Sequence, residues 1–238
     1  MMSELIPKRP FVETPTATDK AARRGARTGR TASKPVRREQ LIKATIDSIA
    51  KHGISGTTMT TITSFAGLSV GIVNFHFDSK ENLFSETLRY LATEHQEMWL
   101  KAVSTAGLSA PEKLLAIVEA ELHPQICNRK KLTVWSAFYG ESGYRKSYRN
   151  IMTQIDTERW ETSTALCQKI IDSGAFDHLK AEDVADTLEG LFDGFCLNIL
   201  IYPGEFTREN AKDRVRGYLS SIFPGCFDLA ASGGVATE

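Results

Sequence analysis

The sequence predicts an all-α fold, with a module of short helices followed by a module of long ones. Three observations carry this reading. Apolar residues recur at i, i+3 and i+4 from about residue 36 to residue 222, the period of helices with one buried face. No segment alternates apolar and polar residues as a half-buried strand does. Ser, Thr, Asp, Gly and Pro punctuate the periodic stretches where caps and stops belong.

Residues 1–33 are rich in Pro, Thr, Ala, Gly and Arg and have no apolar period, so a disordered basic arm is expected there. Order is expected from about Pro35, a residue tolerated in a first helical turn. Ile42, Ile46 and Ile49 then share a face with Leu41, Ala44 and Thr45 beside it, and Gly53 is a C-terminal stop. Two very short helices follow, Thr60 to Ala66 and Val70 to His76. Gly67-Leu68-Ser69 joins them, with Ser69 placed to cap the second. Asp78-Ser79-Lys80-Glu81 reads as an Asp-x-x-Glu capping box before a long helix with Phe84, Leu88, Leu91, His95, Met98 and Ala102 on one stripe.

Ser109 to Glu112 is another capping box, opening a helix faced by Leu114, Leu115, Ile117, Val118 and Leu122 until His123-Pro124 interrupts. A helix from about Arg129 to Glu141 puts Trp135, Phe138 and Tyr139 on one face. Tyr148, Ile151, Met152, Ile155, Leu166 and Ile170 mark a long helix ending near Gly174. The stretch from Ala181 to Tyr202 is strongly apolar and is stopped by Pro203-Gly204. Thr207 is placed to cap a last helix whose face is Ala211, Val215, Tyr218, Leu219 and Ile222. The expected organisation is an arm at 1–33, a helix-turn-helix domain at 34–80, a helical domain at 81–224 and a flexible tail at 225–238.

At 238 residues, 42% apolar and 24% charged, the composition is that of a globular chain able to hold a core without disulfides or metals. No run of eighteen apolar residues is present, so no spanning helix is expected. The first residues lack a continuous apolar stretch, so secretion is not expected and a cytoplasmic location is. The four cysteines lie far apart without C-x-x-C, and the five histidines have no metal spacing. No metal, no cofactor and no catalytic residue is expected. There is no glycine-rich phosphate cradle and no plausible nucleophile–base pair, which counts against an all-α enzyme.

The net charge is zero, but it is unevenly placed. Residues 1–89 carry 14 basic and 8 acidic side chains, and between Lys20 and Arg38 there are 8 basic residues and no acidic one. A basic end suits a polyanion, although a solvated tail would have the same composition. The segment from Thr60 to His76 has helix-turn-helix spacing. Helices of two turns are too short to stand alone and need a third, here residues 36–52. Ile62, Ala66, Leu68, Val73 and Phe77 can form the small shared core, leaving Thr60, Thr61, Ser69, Asn74 and His76 outside. A helix presenting small and polar residues fits a major groove. An ordinary helical hairpin has the same spacing, and the basic arm upstream tips the reading toward DNA.

Residues 37–84 resemble the DNA-binding domain of the TetR family of transcriptional regulators. The resemblance rests on Gly53, Thr58, the turn from Ala66 to Ser69, Gly71, and the ending Phe77, Lys80 and Leu83, at the family's spacings. Thr63 stands where alanine is usual and Asn74 where tyrosine is frequent. The stretches 134–142 and 191–224 resemble the BetI-like, choline-responsive subgroup. The resemblance implies a homodimeric repressor that binds a palindromic operator and is released by a small molecule in the C-terminal domain. The DNA-binding set is Arg37, Thr60, Thr61, Ser69, Val70, Gly71, Asn74, Phe75, His76 and Lys80, with Lys80 on a phosphate. The two C-terminal helices would pair with their copies through Leu188, Phe192, Phe195, Ile199, Val215, Tyr218 and Ile222.

For the effector, Trp99, Trp135, Phe138, Tyr139 and Trp160 are the aromatic candidates, with Asp193 or Glu141 as counter-charge, an arrangement able to hold a quaternary ammonium. Such a pocket requires that no buried cationic side chain aim inward, and neither 132–139 nor 184–202 contains Lys or Arg. The same aromatics also fit plain core positions at helical spacing. The competing reading is a helix-turn-helix dimer with no small-molecule effector.

Overall fold

The structure, a computed structural model, describes residues 33–174 and 176–227. Among them are nine helices and no strand: α1 (Lys34–Gly56), α2 (Met59–Ala66), α3 (Val70–Phe77), α4 (Lys80–Val103), α5 (Ala110–Glu121), α6 (Arg129–Ser142), α7 (Lys146–Ser173), α8 (Ala181–Ile201) and α9 (Arg208–Ile222). The fold is all-helical, as the periodicity predicts. Residues 1–32 of the expected arm and 228–238 of the expected tail lie outside the described residues. Contacts group the chain from Gln40 onward into one unit, and Glu39 closes the preceding one.

Caps set the helix boundaries. Gly53 breaks α1 with φ 69°, and Gly67 ends α2 at φ 64°, a left-handed conformation that glycine adopts without Cβ strain. Thr58 caps α2 reciprocally with Thr61. Ser109 with Glu112 and Thr207 with Asn210 do the same for α5 and α9. Two expected caps differ. Ser79, not Asp78, caps α4, its hydroxyl accepting from the Asn82 amide at 3.0 Å, while Asp78 carries the positive φ of 55° that closes α3. Ser69 occupies the cap position of α3 but makes no capping hydrogen bond with its side chain.

Two apolar clusters form the interior. The first joins Leu41, Ile49, Ile62, Val73 and Phe77 of α1–α3 to Leu83, Phe84 and Leu88 of α4, and to Val134, Phe138, Tyr148 and Ile151 of α6 and α7. The second gathers Ile117 and Val118 of α5, Leu166 and Ile170 of α7, Leu188 and Phe192 of α8, and Val215 and Leu219 of α9. Packing continues past the expected boundary at 225: Phe227 is buried in the second cluster, and the Ser220 hydroxyl donates to its carbonyl at 3.0 Å. Helices α4, α5, α7 and α8 pack in neighbouring pairs, α6 lies against α7 and α8, and α9 against α5 and α8.

Candidate DNA-facing helices and ligand cavity

Helices α2 and α3 each span eight residues and are stabilised from the inside. Ile62, Val73 and Phe77 are fully buried, Ala66 nearly so, and Leu68 packs against them. The Gln40 amide donates to the Ala66 carbonyl at 2.7 Å, tying α1 to the end of α2. The buried Thr63 hydroxyl is satisfied by the Thr60 carbonyl at 3.0 Å, so threonine is accommodated at that tight crossing. Thr61 is spent on structure as well: its hydroxyl accepts from the Thr58 amide at 2.9 Å and lies 2.8 Å from the Ser48 hydroxyl.

The outward set is Thr60, Ser69, Val70, Gly71, Asn74 and Phe75, all exposed. Phe75 is 73% exposed, a large cost in hydrated apolar area for a free side chain, and its ring packs edge-on to the half-buried His76 at 5.1 Å. Lys80 is half-buried, its ammonium 5.0 Å above the Phe84 ring. Arg37, partly exposed, lies near the start of α1.

A cavity of about 390 Å³ lies where the two apolar clusters meet, within the roughly 300–1,000 Å³ of small-molecule sites. Each helix contributes one face: Trp135, Ser136 and Tyr139 from α6, Met152, Ile155, Asp156 and Arg159 from α7, Phe192, Asp193, Cys196 and Leu197 from α8. Trp135 and Tyr139 stack with centroids 6.0 Å apart and planes 28° apart, and His95 of α4 meets Trp135 edge-on. Ser136, Tyr139, Asp193 and Leu197 are exposed and mark the mouth.

Arg159, only 5% exposed, organises the polar wall. Its Nε donates to both Glu189 oxygens at 3.0 and 3.2 Å, its Nη1 reaches Glu121 at 3.4 Å, and its Nη2 lies 3.5 Å from Asp156. Glu121 also bonds His95 Nε2 at 2.8 Å. Burial would raise the Glu121 carboxyl, but Arg159 and His95 outweigh it and hold it below the usual range. Burial likewise opposes the charge on Arg159, and Glu121 and Glu189 overcome it, raising the guanidinium well above its ordinary value. Asp156 and Asp193 are raised, mainly by desolvation. Desolvation, then Asp193, also push the Tyr139 phenol up.

Of the aromatics proposed for the ligand, Trp135 and Tyr139 line this cavity together with Asp193. Trp99 and Phe138 do not. Both are fully buried, and Phe138 packs edge-on against Phe84 and Tyr148 rather than at the cavity. Trp160 borders an adjoining, more open hollow with Asp186, to which its indole N–H donates at 2.7 Å. Glu141 is engaged by Arg145 at 3.0 Å, outside the cavity lining. The expectation that no buried cation aims inward is overturned by Arg159, which sits on α7, between the two stretches that lack Lys and Arg. Its place was legible: Ile151, Ile155, Arg159 and Leu166 continue one buried stripe.

Two family models match this chain: residues 41–87 match the tetR family of bacterial regulatory proteins, and residues 110–224 match the C-terminal domain of BetI-type transcriptional repressors. The chain belongs to the TetR family. It is a transcription regulator with a BetI-type C-terminal domain, not an enzyme. Among its relatives, the HTH-type transcriptional regulators BetI of Stenotrophomonas maltophilia and Burkholderia thailandensis are 29% and 28% identical over 185 and 190 residues. Those alignments cover 78% and 79% of this chain and 92% and 93% of the relatives. A solved candidate regulator of Pseudomonas aeruginosa PAO1 superposes with TM-score 0.74 at 25% identity, over 85% of this chain and 97% of that one. One from Saccharomonospora viridis, solved in complex with choline, superposes with TM-score 0.69 at 20% identity, over 77% of this chain and 95% of that one.

In this TetR-family chain the residues proposed for the dimer divide in two. Leu188, Phe192 and Val215 are buried in the chain's own second cluster and have no free surface for a partner, because α8 and α9 turn those faces toward α5 and α7. Phe195, Ile199, Tyr218 and Ile222 are partly buried, and Leu197, Ile201 and Tyr202 are about half exposed. No helix among the described residues is long and apolar enough to cross a membrane, and no group of three or more His, Cys, Asp or Glu there could hold a metal ion.

Proposed function

We propose that this regulator is a cytoplasmic homodimer that binds a palindromic operator and leaves it when a quaternary ammonium compound of the choline class enters the cavity. The observation that carries the ligand class is the wall of the cavity. Two stacked rings stand beside Asp156 and Asp193, and the one buried guanidinium is already paired with Glu121 and Glu189. Four carboxylates against one Arg leave a surplus that favours a cation, and the ring faces suit a methylated one. The choline bound to the Saccharomonospora viridis neighbour supports the same class. For DNA, Thr60, Ser69, Val70, Asn74 and Phe75 form the groove-facing surface and Lys80 meets a phosphate. Phe195 and Ile199, with the exposed Leu197, Ile201 and Tyr202, supply the apolar face that a second copy would cover.

Calorimetry with choline, glycine betaine and the neutral tert-butyl analogue of choline tests the ligand. Choline should bind more tightly than its neutral isostere by about 0.5–2 kcal/mol. Glycine betaine should bind more weakly than choline, since its carboxylate enters an acidic wall. Equal binding of choline and the isostere, or binding of neither, ends the quaternary-ammonium reading.

A further inference from the structure

The cavity wall changes character from its mouth to its inner end. Tyr139 and Asp193 are exposed, the Asp156 side chain is half exposed, and Trp135 stacks on Tyr139, so charge and ring faces gather at the mouth. Further in, the wall is Ile126, Leu132, Met152, Ile155 and Phe192, all buried. The polar groups buried in the same wall, His95, Glu121 and Arg159, are bonded to one another. Ile126, in the turn between α5 and α6, is buried yet belongs to neither apolar cluster, and the cavity is what it borders. Such a side chain gains dispersion contacts when an apolar group lies against it. Size points the same way. Choline has seven non-hydrogen atoms, and even at the roughly 30 Å³ that each water takes in the liquid they fill only about 210 Å³. A cavity of about 390 Å³ leaves room for about six more.

We infer that the effector is an amphipathic cation, with a quaternary ammonium head at the mouth and an apolar tail, markedly larger than choline's hydroxyethyl arm, laid against the inner wall. The inference rests on the quaternary-ammonium reading for the head and adds the tail from the volume and chemistry of the wall. At the mouth, Asp156 and Asp193 offset the charge of the head, and Trp135 and Tyr139 offer it ring faces. Placed deeper, the head would lose hydration and approach the buried Arg159 guanidinium, whose charge repels it. The tail meets the hydrocarbon of Ile126, Leu132, Ile155 and Phe192, so its contribution grows with the area it removes from water. Met152, an unbranched thioether, adapts to tails of different shape. Choline, whose arm is short and polar, uses the head position alone and is a weak member of this class.

The test is calorimetry of the full-length protein with ethyl-, butyl-, hexyl-, octyl- and dodecyltrimethylammonium, each below its micelle concentration. Affinity should rise by up to about fourfold per added methylene as far as octyl, then stop rising because the dodecyl chain exceeds the cavity. Ile126→Phe projects further into the inner end. It should weaken octyltrimethylammonium by about tenfold and leave choline within about twofold, with helical circular dichroism and melting checking the fold. Affinities within about twofold of one another from ethyl to octyl would overturn the inference. So would a rise that continues unchanged through dodecyl, the mark of partition onto the protein surface, or a folded Ile126→Phe that keeps the wild-type preference for octyl. The head is tested separately with a neutral compound that carries a tert-butyl group in place of the trimethylammonium on the octyl chain. If it binds as tightly as octyltrimethylammonium, the quaternary-ammonium reading fails while the chain-length dependence stands.

Discussion

Arg159 shows how one side chain can decide the character of a site. It is buried, it is charged, and it is tolerated because Glu121, Glu189 and Asp156 surround it. Removing one partner of such a group costs more than the pair ever contributed, since the remaining charges stay buried. Arg159→Met should lower the unfolding free energy by about 3–5 kcal/mol, read from urea denaturation. Glu121 gives the pH dependence of the same network. Its folded value lies below the ordinary 4.5, so its contribution is present above pH 4.5 and is lost as pH falls through the folded value. Glu121→Gln should flatten that acid limb. A mutant with the wild-type acid limb would show that the network does not govern it. Asp156 and Asp193 are shifted the other way, upward by desolvation. They should be neutralised earlier on acidification than ordinary aspartates, so choline affinity should fall on that descent. Asp193→Asn should weaken choline binding at neutral pH and blunt that decline.

At the scale of the element, α2 and α3 divide their hydroxyl and amide side chains between two duties. Thr61 serves the cap and the Ser48 contact, while Asn74 projects into solvent. Asn74→Ala should therefore cost about 1–3 kcal/mol of specific operator binding in a mobility-shift titration and leave the melting temperature unchanged. Thr61→Val should do the reverse, losing about 1 kcal/mol of fold stability through the cap, with DNA affinity following only from that loss. Equal stability of Thr61→Val and wild type would assign the hydroxyl to DNA instead. Helix α6 shows a similar division among neighbouring aromatics. Phe138 packs on Phe84 and Tyr148, and Trp135 and Tyr139 stack at the cavity. Aromatics at i, i+3 and i+4 announce a helix, but their spacing does not say which faces a core and which a hollow.

For the whole molecule, the exposed end of α8 and the basic arm carry the remaining predictions. Ile201→Glu puts a charge on an apolar surface that is half exposed in the single chain, so the fold should tolerate it. In a dimer that buries this surface the unpaired charge should shift sedimentation toward the monomer, and an unchanged dimer would put the interface elsewhere. Deleting residues 1–33, which hold five of the eight basic residues between Lys20 and Arg38, should lower DNA affinity and flatten its dependence on salt, because fewer counterions are released. An unaltered salt slope would make the arm a passive tail.

Read alone, the chain yields the helical class, the order and near-boundaries of the helices, the helix-turn-helix with its small core, and the family. All of these follow from local spacing and capping, which act over a few residues. Its errors at this level were local too: Ser79 took the cap from Asp78 because the chain must turn through a positive φ one residue earlier. Which residues share a wall depends on how the helices pack. His95, Glu121, Cys127, Arg159 and Cys196 come from four helices and a turn, and no periodicity within one helix relates them. The same holds for Leu188, Phe192 and Val215, apolar enough for an interface but consumed by the chain's own core. Apolar spacing tells which face of a helix leaves water. Whether that face meets the same chain, a ligand or a second copy depends on the neighbours that the fold brings to it.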